Sequence, residues 1–505
     1  MHSNPIFIGL DIGTSSCKAM AIDTNAQLLG SAAVEYPCYA PQAGWSEQHA
    51  SDWWEGTQAA LQKLLSTLDI SRIAGLGLSG QMHGMVALDA ALQPLRPAIL
   101  WNDQRTAAQC AEITEKAGGE AGLLGMTNNP MLTGFTAGKI LWFRENEPEL
   151  FVKTKYVVNP KDYIRLLLTG ELAMDVSDAS GTGLFDVRNH CFSSVLLERL
   201  ALPASLFPQV LESADLAGEV TAQAAALTGL PCGLPIVAGG GDAVLSALGM
   251  GLGGASQVAV TLGTSGVVAR HCASFFVNEG AKLQFSRACL PGLFHIMGVT
   301  LSAAGSYQWH ESMLGDARLP TRGERYKALD AEAAQSPPGA NGVLFLPYLS
   351  GERCPLNDPG AKGAYFGLRS STTRGDLNRA VMEGVAFSLR QVYALMAAST
   401  GTAERLVLAG GGAVSPLWRQ IVADIFGLPA VTLEASEEGS GFGAALLAAL
   451  GLGAIESAEA AAAKLRQKTE TLPQVQNASV YAERFAQYCA LYPALRAEKG
   501  KESIA

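Results

Sequence analysis

Ile236-Val-Ala-Gly-Gly-Gly-Asp242-Ala-Val-Leu-Ser-Ala-Leu-Gly-Met-Gly251 lies near the middle of the 505-residue chain, and the sequence on either side of it reads as two halves that meet there. An apolar strand runs into three glycines and an acid. Lacking Cβ atoms, the glycines let the backbone bend sharply and approach a ligand. Asp242 is then either a cap for a helix over Val244–Leu248 or a carboxylate presented to a bound group.

Composition narrows the choice. A chain of this length exceeds what one core organises, so two domains with a cleft are expected. Hydrophobic residues make up 48% and charged residues 16%, enough to fill large cores. The net charge of −10 offers no attraction to nucleic acid or an anionic membrane and favours a small-molecule partner. Any phosphate site must then be local, built from backbone N–H groups, helix ends and a metal ion. The nine cysteines are scattered without a C-x-x-C pair, which points away from disulfides and zinc and fits a reducing cytoplasm. Asp11 interrupts the apolar N-terminal run, unlike a signal peptide. Phe442–Ile455, the longest uncharged apolar run, is too short to span a bilayer and reads as a buried helix.

In the first half, Ile6–Ile12, Cys17–Asp23 and Gln27–Val34 predict a strand meander, with Asp11 near the end of the first strand and a Gly13-Thr-Ser-Ser16 turn after it. A carboxylate for Mg²⁺ beside backbone and hydroxyl donors for phosphate oxygens is one reading; an ordinary hairpin is the other. Ser51–Leu68 predicts a helix with Trp54, Leu61, Leu65 and Leu68 near one face. Gly75-x-Gly77-x-x-Gly80 matches a dinucleotide pattern, but its glycines lie inside a strand, which argues against a nicotinamide site. Met82 and His83 stand at that strand's carboxyl end, where α/β proteins place ligands. Leu100-Trp-Asn-Asp-Gln-Arg105 offers a sugar an aromatic face and polar partners, or Asp103 and Arg105 form a structural ion pair.

In the second half, Gln257–Ala269 repeats the strand, Gly-Thr-Ser turn and strand half a chain away. Two such turns imply a ligand held between domains, and Leu262 is read as replacing the acid of the first copy. Glu352 and Arg353 read as a salt bridge. Leu377–Leu395 predicts an amphipathic helix with Val381, Val385, Leu389 and Val392 inward. In Arg405–Trp418 a strand ends in three glycines, with Ser415 as N-cap and Pro416 at N1, a loop suited to a nucleotide.

Taken in order, Gly9-x-Asp11-x-Gly13-Thr14, Ser79-Gly-Gln-Met-His-Gly84, Leu100-Trp-Asn-Asp-x-Arg105, Pro160-Lys-Asp-Tyr163, Gly239-Gly-Gly-Asp242, Leu262-Gly-Thr-Ser-Gly266, Leu346-Pro-Tyr-Leu-Ser-Gly-Glu-Arg353 and Gly410-Gly-Gly-Ala413 resemble the FGGY carbohydrate kinases over about residues 6 to 450. The resemblance implies an α/β protein of two ribonuclease-H-like domains of the actin and hexokinase type, flanking a central catalytic cleft. These are expected over 1–245, with the sugar site and metal-organising Asp, and 246–505, with the nucleotide site. The implied activity is ATP-dependent phosphorylation of a ketopentose, to which the Gln-Met-His-Gly and Trp-Asn-Asp-x-Arg segments point. The alternatives are a kinase for another ketose or a polyol and, more distantly, a non-kinase actin-like ATPase.

Carried over by position, Asp242 is the expected base and Asp11 the Mg²⁺ organiser, both near the metal. Met82, His83, Trp101 and Asp103 are expected at the sugar. Gly13, Thr14, Ser15, Gly263 and Thr264 are expected by the phosphates, with Gly411, Gly412 and Ser415 by the nucleotide. An acid of ordinary pKa suffices as base in a loose phosphoryl-transfer transition state. The expected partners are a sugar and MgATP, with no nucleic acid and no membrane, in the cytoplasm; a homodimer is left open. Ala243 departs from the family's ketopentose kinases, which usually carry Asn after the catalytic acid.

Overall fold

In a computed structural model, which describes residues 4–434 and 438–499, the chain divides into two compact units by a discontinuous partition. The first takes the chain up to Gly254 together with His271–His295 and Glu438–Leu465, and the second takes the rest. This differs from a single cut at 245/246, and the physical reason lies largely in the Ser440–Gly451 helix. That helix is apolar almost all round, so it must be covered, and it packs on the central strands of the first sheet and on the Asp242–Gly249 helix. Glycines set how close it comes. A Cβ on Gly9 would lie 1.8 Å from the Gly441 carbonyl oxygen, one on Gly77 2.2 Å from that of Ala444, and one on Gly443 1.9 Å from that of Leu245. Gly77 is therefore a helix-packing residue inside a strand, in keeping with the argument against a nicotinamide turn.

The first unit is built on a sheet with the order Leu216–Glu219, Pro235–Val237, Ile73–Gly80, Ile6–Ile12, Ser16–Asp23, Leu28–Glu35, with Gly240–Gly241 also pairing to Ile73–Gly80. The N-terminal meander is antiparallel, and Ile6–Ile12 runs parallel to Ile73–Gly80. Register decides the site: Asp11 pairs with Ser79, and Ser79 pairs with Gly240. Asp11 and the Gly-Gly-Asp242 turn thus reach the same carboxyl edge of the sheet by strand pairing alone. Alternation sends Ile6, Ile8, Leu10 and Ile12 into one core with Leu61 and Leu64. The helix found over Ala50–Leu65 turns Trp53, Thr57, Leu61 and Leu64 inward, so the expected inward role of Trp54 falls to Trp53, and Leu68 lies beyond the helix end.

The second unit repeats the plan. Gln257–Leu262 and Gly266–Cys272 form an antiparallel hairpin, Arg405–Ala409 runs parallel to the first of these, and Ala430–Leu433 and Gln467–Thr471 extend the sheet. Ile12 and Leu262 each end their strand, so the residue equivalent to Asp11 is Thr261, not Leu262; this copy still has no carboxylate. The long helix runs from Arg374 to Thr400 behind a Thr373/Asp376 capping box, with Val381, Val385, Leu389 and Val392 buried as predicted. Among the described residues, no helix is long and apolar enough to cross a membrane.

Candidate active site

Gly239 and Gly241 explain the triple glycine before Asp242. Gly239 has φ +84°, and a Cβ there would meet the Leu78 carbonyl at 2.2 Å; a Cβ on Gly241 would lie 2.5 Å from Cγ of Met82. Gly241 is the N-cap, so Asp242 is the first helical residue rather than a cap. Its Oδ1 accepts the Ala243 N–H at 2.7 Å. Burial, and then the charge of Asp11, push the Asp242 carboxyl up to about 7, with the Ala243 amide opposing. This departs from the ordinary acidity sufficient for the role. Asp11 is also raised by burial, against the hydroxyls of Ser79 and Ser440 and the charge of Lys18. Its Oδ1 is buried without a hydrogen-bond partner in the protein. Two buried carboxyls of raised proton affinity, one of them raised partly by the charge of the other and one with an unsatisfied oxygen, make a donor set that a divalent cation would satisfy.

The Gly13-Thr14-Ser15 turn is braced from below by a network that sequence spacing did not reveal. Tyr36 donates to the Gly13 carbonyl at 2.6 Å, and Gln48 Nε2 donates to that of Thr14 at 2.7 Å. Gln48 Oε1 in turn accepts from Trp53 Nε1 at 2.9 Å and Gln81 Nε2 at 2.8 Å. The Thr14 hydroxyl donates to Gln81 Oε1 at 3.3 Å and accepts from Trp101 Nε1 at 2.9 Å. Trp101 keeps 45% of its surface exposed, so its ring remains available while its N–H fixes the turn. The one available signal was Gln81, a polar residue directly after a buried strand.

Met82 is buried against Gly241 and Gly181. His83 sits beside it at φ +67°. Its Nδ1 lies 2.6 Å from the Gly181 carbonyl oxygen, and its ring packs on Phe135 with centroids 4.7 Å apart. Lys139 Nζ donates to the His83 carbonyl at 2.7 Å and to that of Gly134 at 2.6 Å. Burial pushes this ammonium down to about 7 against the pull of Asp103. Asp103 takes the structural option. It is fully buried, its Oδ2 accepts from Ser46 N at 2.6 Å and Arg105 Nη2 at 2.7 Å, and Arg105 reaches Glu47 at 2.7 Å while stacking 3.6 Å over Trp45. No free lone pair is directed to a sugar from this arrangement, so its part is to hold the loop bearing Trp101.

In the second unit, Ala304 N donates to the Gly263 carbonyl at 2.7 Å, and Ala303 N and Gly305 N donate to that of Thr264 at 2.9 and 3.1 Å. The turn is thus tied to the start of the Ala304–Leu314 helix. Glu352, buried and pushed up to about 7 by that burial, braces the approach by accepting from Leu301 N and Arg353 N at 2.9 and 2.7 Å. This backbone staple replaces the expected role as a salt bridge. Gly410 has φ +85° and lies against the Leu262 carbonyl, Gly412 is packed under Trp418, and Gly411 is exposed with open space above its Cα. Ser415 caps the Pro416–Phe426 helix by accepting Trp418 N at 3.2 Å, as expected from its position before proline. A bare backbone face and a helix start are the features a flat base and anionic groups require.

The FGGY family of carbohydrate kinases matches with its N-terminal domain over residues 6–249 and its C-terminal domain over residues 258–452. The chain is 37% identical over 488 residues to the xylulose kinase of Bacillus subtilis (strain 168), covering 96% of each chain. It is 36% identical to the xylulose kinase of Escherichia coli (strain K12), covering 97% of this chain and 99% of the relative. The crystal structure of xylulose kinase from Rhodospirillum rubrum superposes with a TM-score of 0.91 at 31% identity, covering 97% of this chain and 99% of that one.

Proposed function

The chain belongs to the FGGY family of carbohydrate kinases, and from that premise we propose that it transfers the γ-phosphoryl group of ATP to D-xylulose, giving D-xylulose 5-phosphate, with Asp242 as general base. Near full-length similarity to xylulose kinases supports the substrate. The observation that carries the base is the register that brings Asp242 to the strand edge of Asp11, where burial and the neighbouring charge raise its proton affinity.

Phosphoryl transfer needs positioning and charge neutralisation more than covalent help. As the sugar hydroxyl oxygen bonds to the γ-phosphorus and the bond to the β,γ-bridging oxygen breaks, the hydroxyl proton must leave. A carboxylate titrating near neutrality at the reacting oxygen is matched to that transfer. Asp11 and Asp242 fit Mg²⁺, because the unsatisfied Asp11 Oδ1 and the unfavourable charge that Asp11 places on Asp242 are both relieved by a cation. When bound, Mg²⁺ supplies neutralisation of the phosphate oxygens. Met82 and His83 frame the sugar, Trp101 offers it an aromatic face, and the open surface at Gly411 accepts the adenine. The same reading assigns the reaction to the cytoplasm, where ATP and thiols coexist.

Asp242→Asn is the direct test. It removes the proton acceptor but keeps the size and the acceptor for Ala243 N–H, so sugar-dependent ADP release should be lost while ATP binding by calorimetry is retained. An Asn variant with near-normal turnover contradicts the assignment.

A further inference from the structure

We propose that Ser177 is a positioning residue for Asp242, acting through the amide of Gly241. The Gly241 N–H donates to Ser177 Oγ at 2.9 Å, and Ser177 Oγ donates its own proton to Asp175 Oδ2 at 2.6 Å. The hydroxyl has one proton, and the carboxylate takes it, so its lone pairs are oriented toward Gly241. Gly241 is the N-cap of the helix that Asp242 begins, and the position of that peptide sets where the Asp242 carboxylate emerges.

The relay is rigid because its far end is buried and charged. Asp175 Oδ2 also accepts from Ser177 N and Ser213 Oγ, each at 2.8 Å, and its Oδ1 lies 2.8 Å from Lys161 Nζ. The same ammonium meets Asp162 at 2.6 Å and Asp178 at 3.0 Å, all of them fully buried. Three carboxylates converging to this extent would accept a metal ion, but the lysine of this chain already supplies the positive charge. The other end of the same short helix, Val176–Gly181, presents the Gly181 carbonyl to His83. One element, held by Lys161, therefore fixes both the proposed base and a proposed sugar contact. Pro160-Lys-Asp-Tyr163, one of the segments that carry the family resemblance, and Ser177–Thr182 both acquire a role from this geometry.

The inference rests on Asp242 being the base, and the experiment separates the two. Steady-state kinetics with D-xylulose and MgATP are measured on full-length Ser177→Ala, Ser213→Ala, Asp242→Asn and the Ser177→Ala/Asp242→Asn double variant. Rates are normalised to ATP-binding sites, and hydrogen exchange is followed at the Gly241 amide. Ser213→Ala removes a donor to the same carboxylate without touching Gly241, so it controls for a purely structural loss. A misplacement of the reacting group by a fraction of an ångström to 1 Å costs on the order of tenfold to a hundredfold in rate. Ser177→Ala should therefore lower kcat by that factor, leave KM for ATP within about twofold and speed exchange at Gly241, while Ser213→Ala, which takes one donor from Asp175 and leaves the Ser177–Gly241 bond in place, lowers kcat by a clearly smaller factor and leaves exchange at Gly241 unchanged. In the base-independent residual turnover of the Asn background, read at high enzyme concentration, the Ser177→Ala effect should vanish, because the group it positions is gone.

Ser177→Cys, which keeps the shape with a weaker acceptor, should fall between wild type and Ala and serves if the Ala variant does not fold. Equal losses in Ser177→Ala and Ser213→Ala, an unchanged kcat in either Ser177 variant, or the same factor lost in the Asn background overturns the proposal. Near-normal turnover of Asp242→Asn overturns the base, and with it the positioning role, even where exchange at Gly241 confirms the hydrogen bond.

Discussion

Asp242→Asn should stabilise the fold, by an amount that grows with pH. In the folded chain the Asp242 carboxyl titrates near 7, against about 3.9 for an unperturbed aspartate. Its folded pKa is raised, so folding takes up a proton between these values. Stability is therefore present in full below about pH 4 and declines as pH rises, by about 1.4 kcal/mol per unit, until it levels off above about pH 7. Asn never ionises and escapes the decline, and its side-chain oxygen can still accept the Ala243 N–H. Its advantage over the wild type should be close to zero at pH 4 and reach about 4 kcal/mol at pH 8, with about 2–3 kcal/mol of it gained between pH 5 and pH 8. Urea unfolding of both proteins in EDTA at pH 5, 6, 7 and 8, followed by tryptophan fluorescence, reads the difference directly, because every other titrating group is common to both. A gap that stays constant across pH would refute the reasoning, since Asp242 would then titrate as an ordinary exposed acid.

Lys161→Met leaves Asp162, Asp175 and Asp178 buried without their ammonium and should cost about 3–5 kcal/mol in the same unfolding assay; a loss below 1 kcal/mol would show that the carboxyls are neutral in the folded state. Gly9→Ala forces a Cβ to 1.8 Å from the Gly441 carbonyl and should destabilise by about 3 kcal/mol or more. Gly125→Ala, in a helix with open space around it, should instead stabilise by about 1 kcal/mol; equal effects at the two glycines would contradict the packing of the Ser440–Gly451 helix. His83→Ala should raise KM for the sugar about tenfold, the loss of one or two hydrogen bonds, and leave KM for ATP unchanged. Unchanged constants for the sugar would make His83 a purely structural partner of Gly181 and Phe135.

The paired strand, Gly-Thr-Ser turn and strand units could be read from sequence because alternation, glycine and turn residues are local signals, and the structure has both hairpins where those signals lie. Ser415 with Pro416 likewise marked a helix start from two consecutive residues. The return of the Ser440–Gly451 helix to the first sheet could not be read, since an all-apolar helix announces burial but not its partner. Asp103 shows the same limit at the site: Trp-Asn-Asp-x-Arg suits a sugar and an ion pair equally, and only three-dimensional placement beside Arg105 and Ser46 separates them. Gln48 and Trp53 lie far from the turn they brace and carry no motif. The raised proton affinity of Asp242 depends on burial and on a carboxylate more than two hundred residues away in sequence, which the parallel pairing of three strands brings near.

The most direct test of the central claim is a coupled ADP-release assay across ketopentoses, ketohexoses, pentitols and aldonates, with the phosphorylated position read by NMR. The account predicts MgATP consumption that depends on added sugar, with D-xylulose giving the highest kcat/KM and the phosphate on its 5-hydroxyl. ADP release without any sugar, or a clear preference for another substrate over D-xylulose, would contradict it.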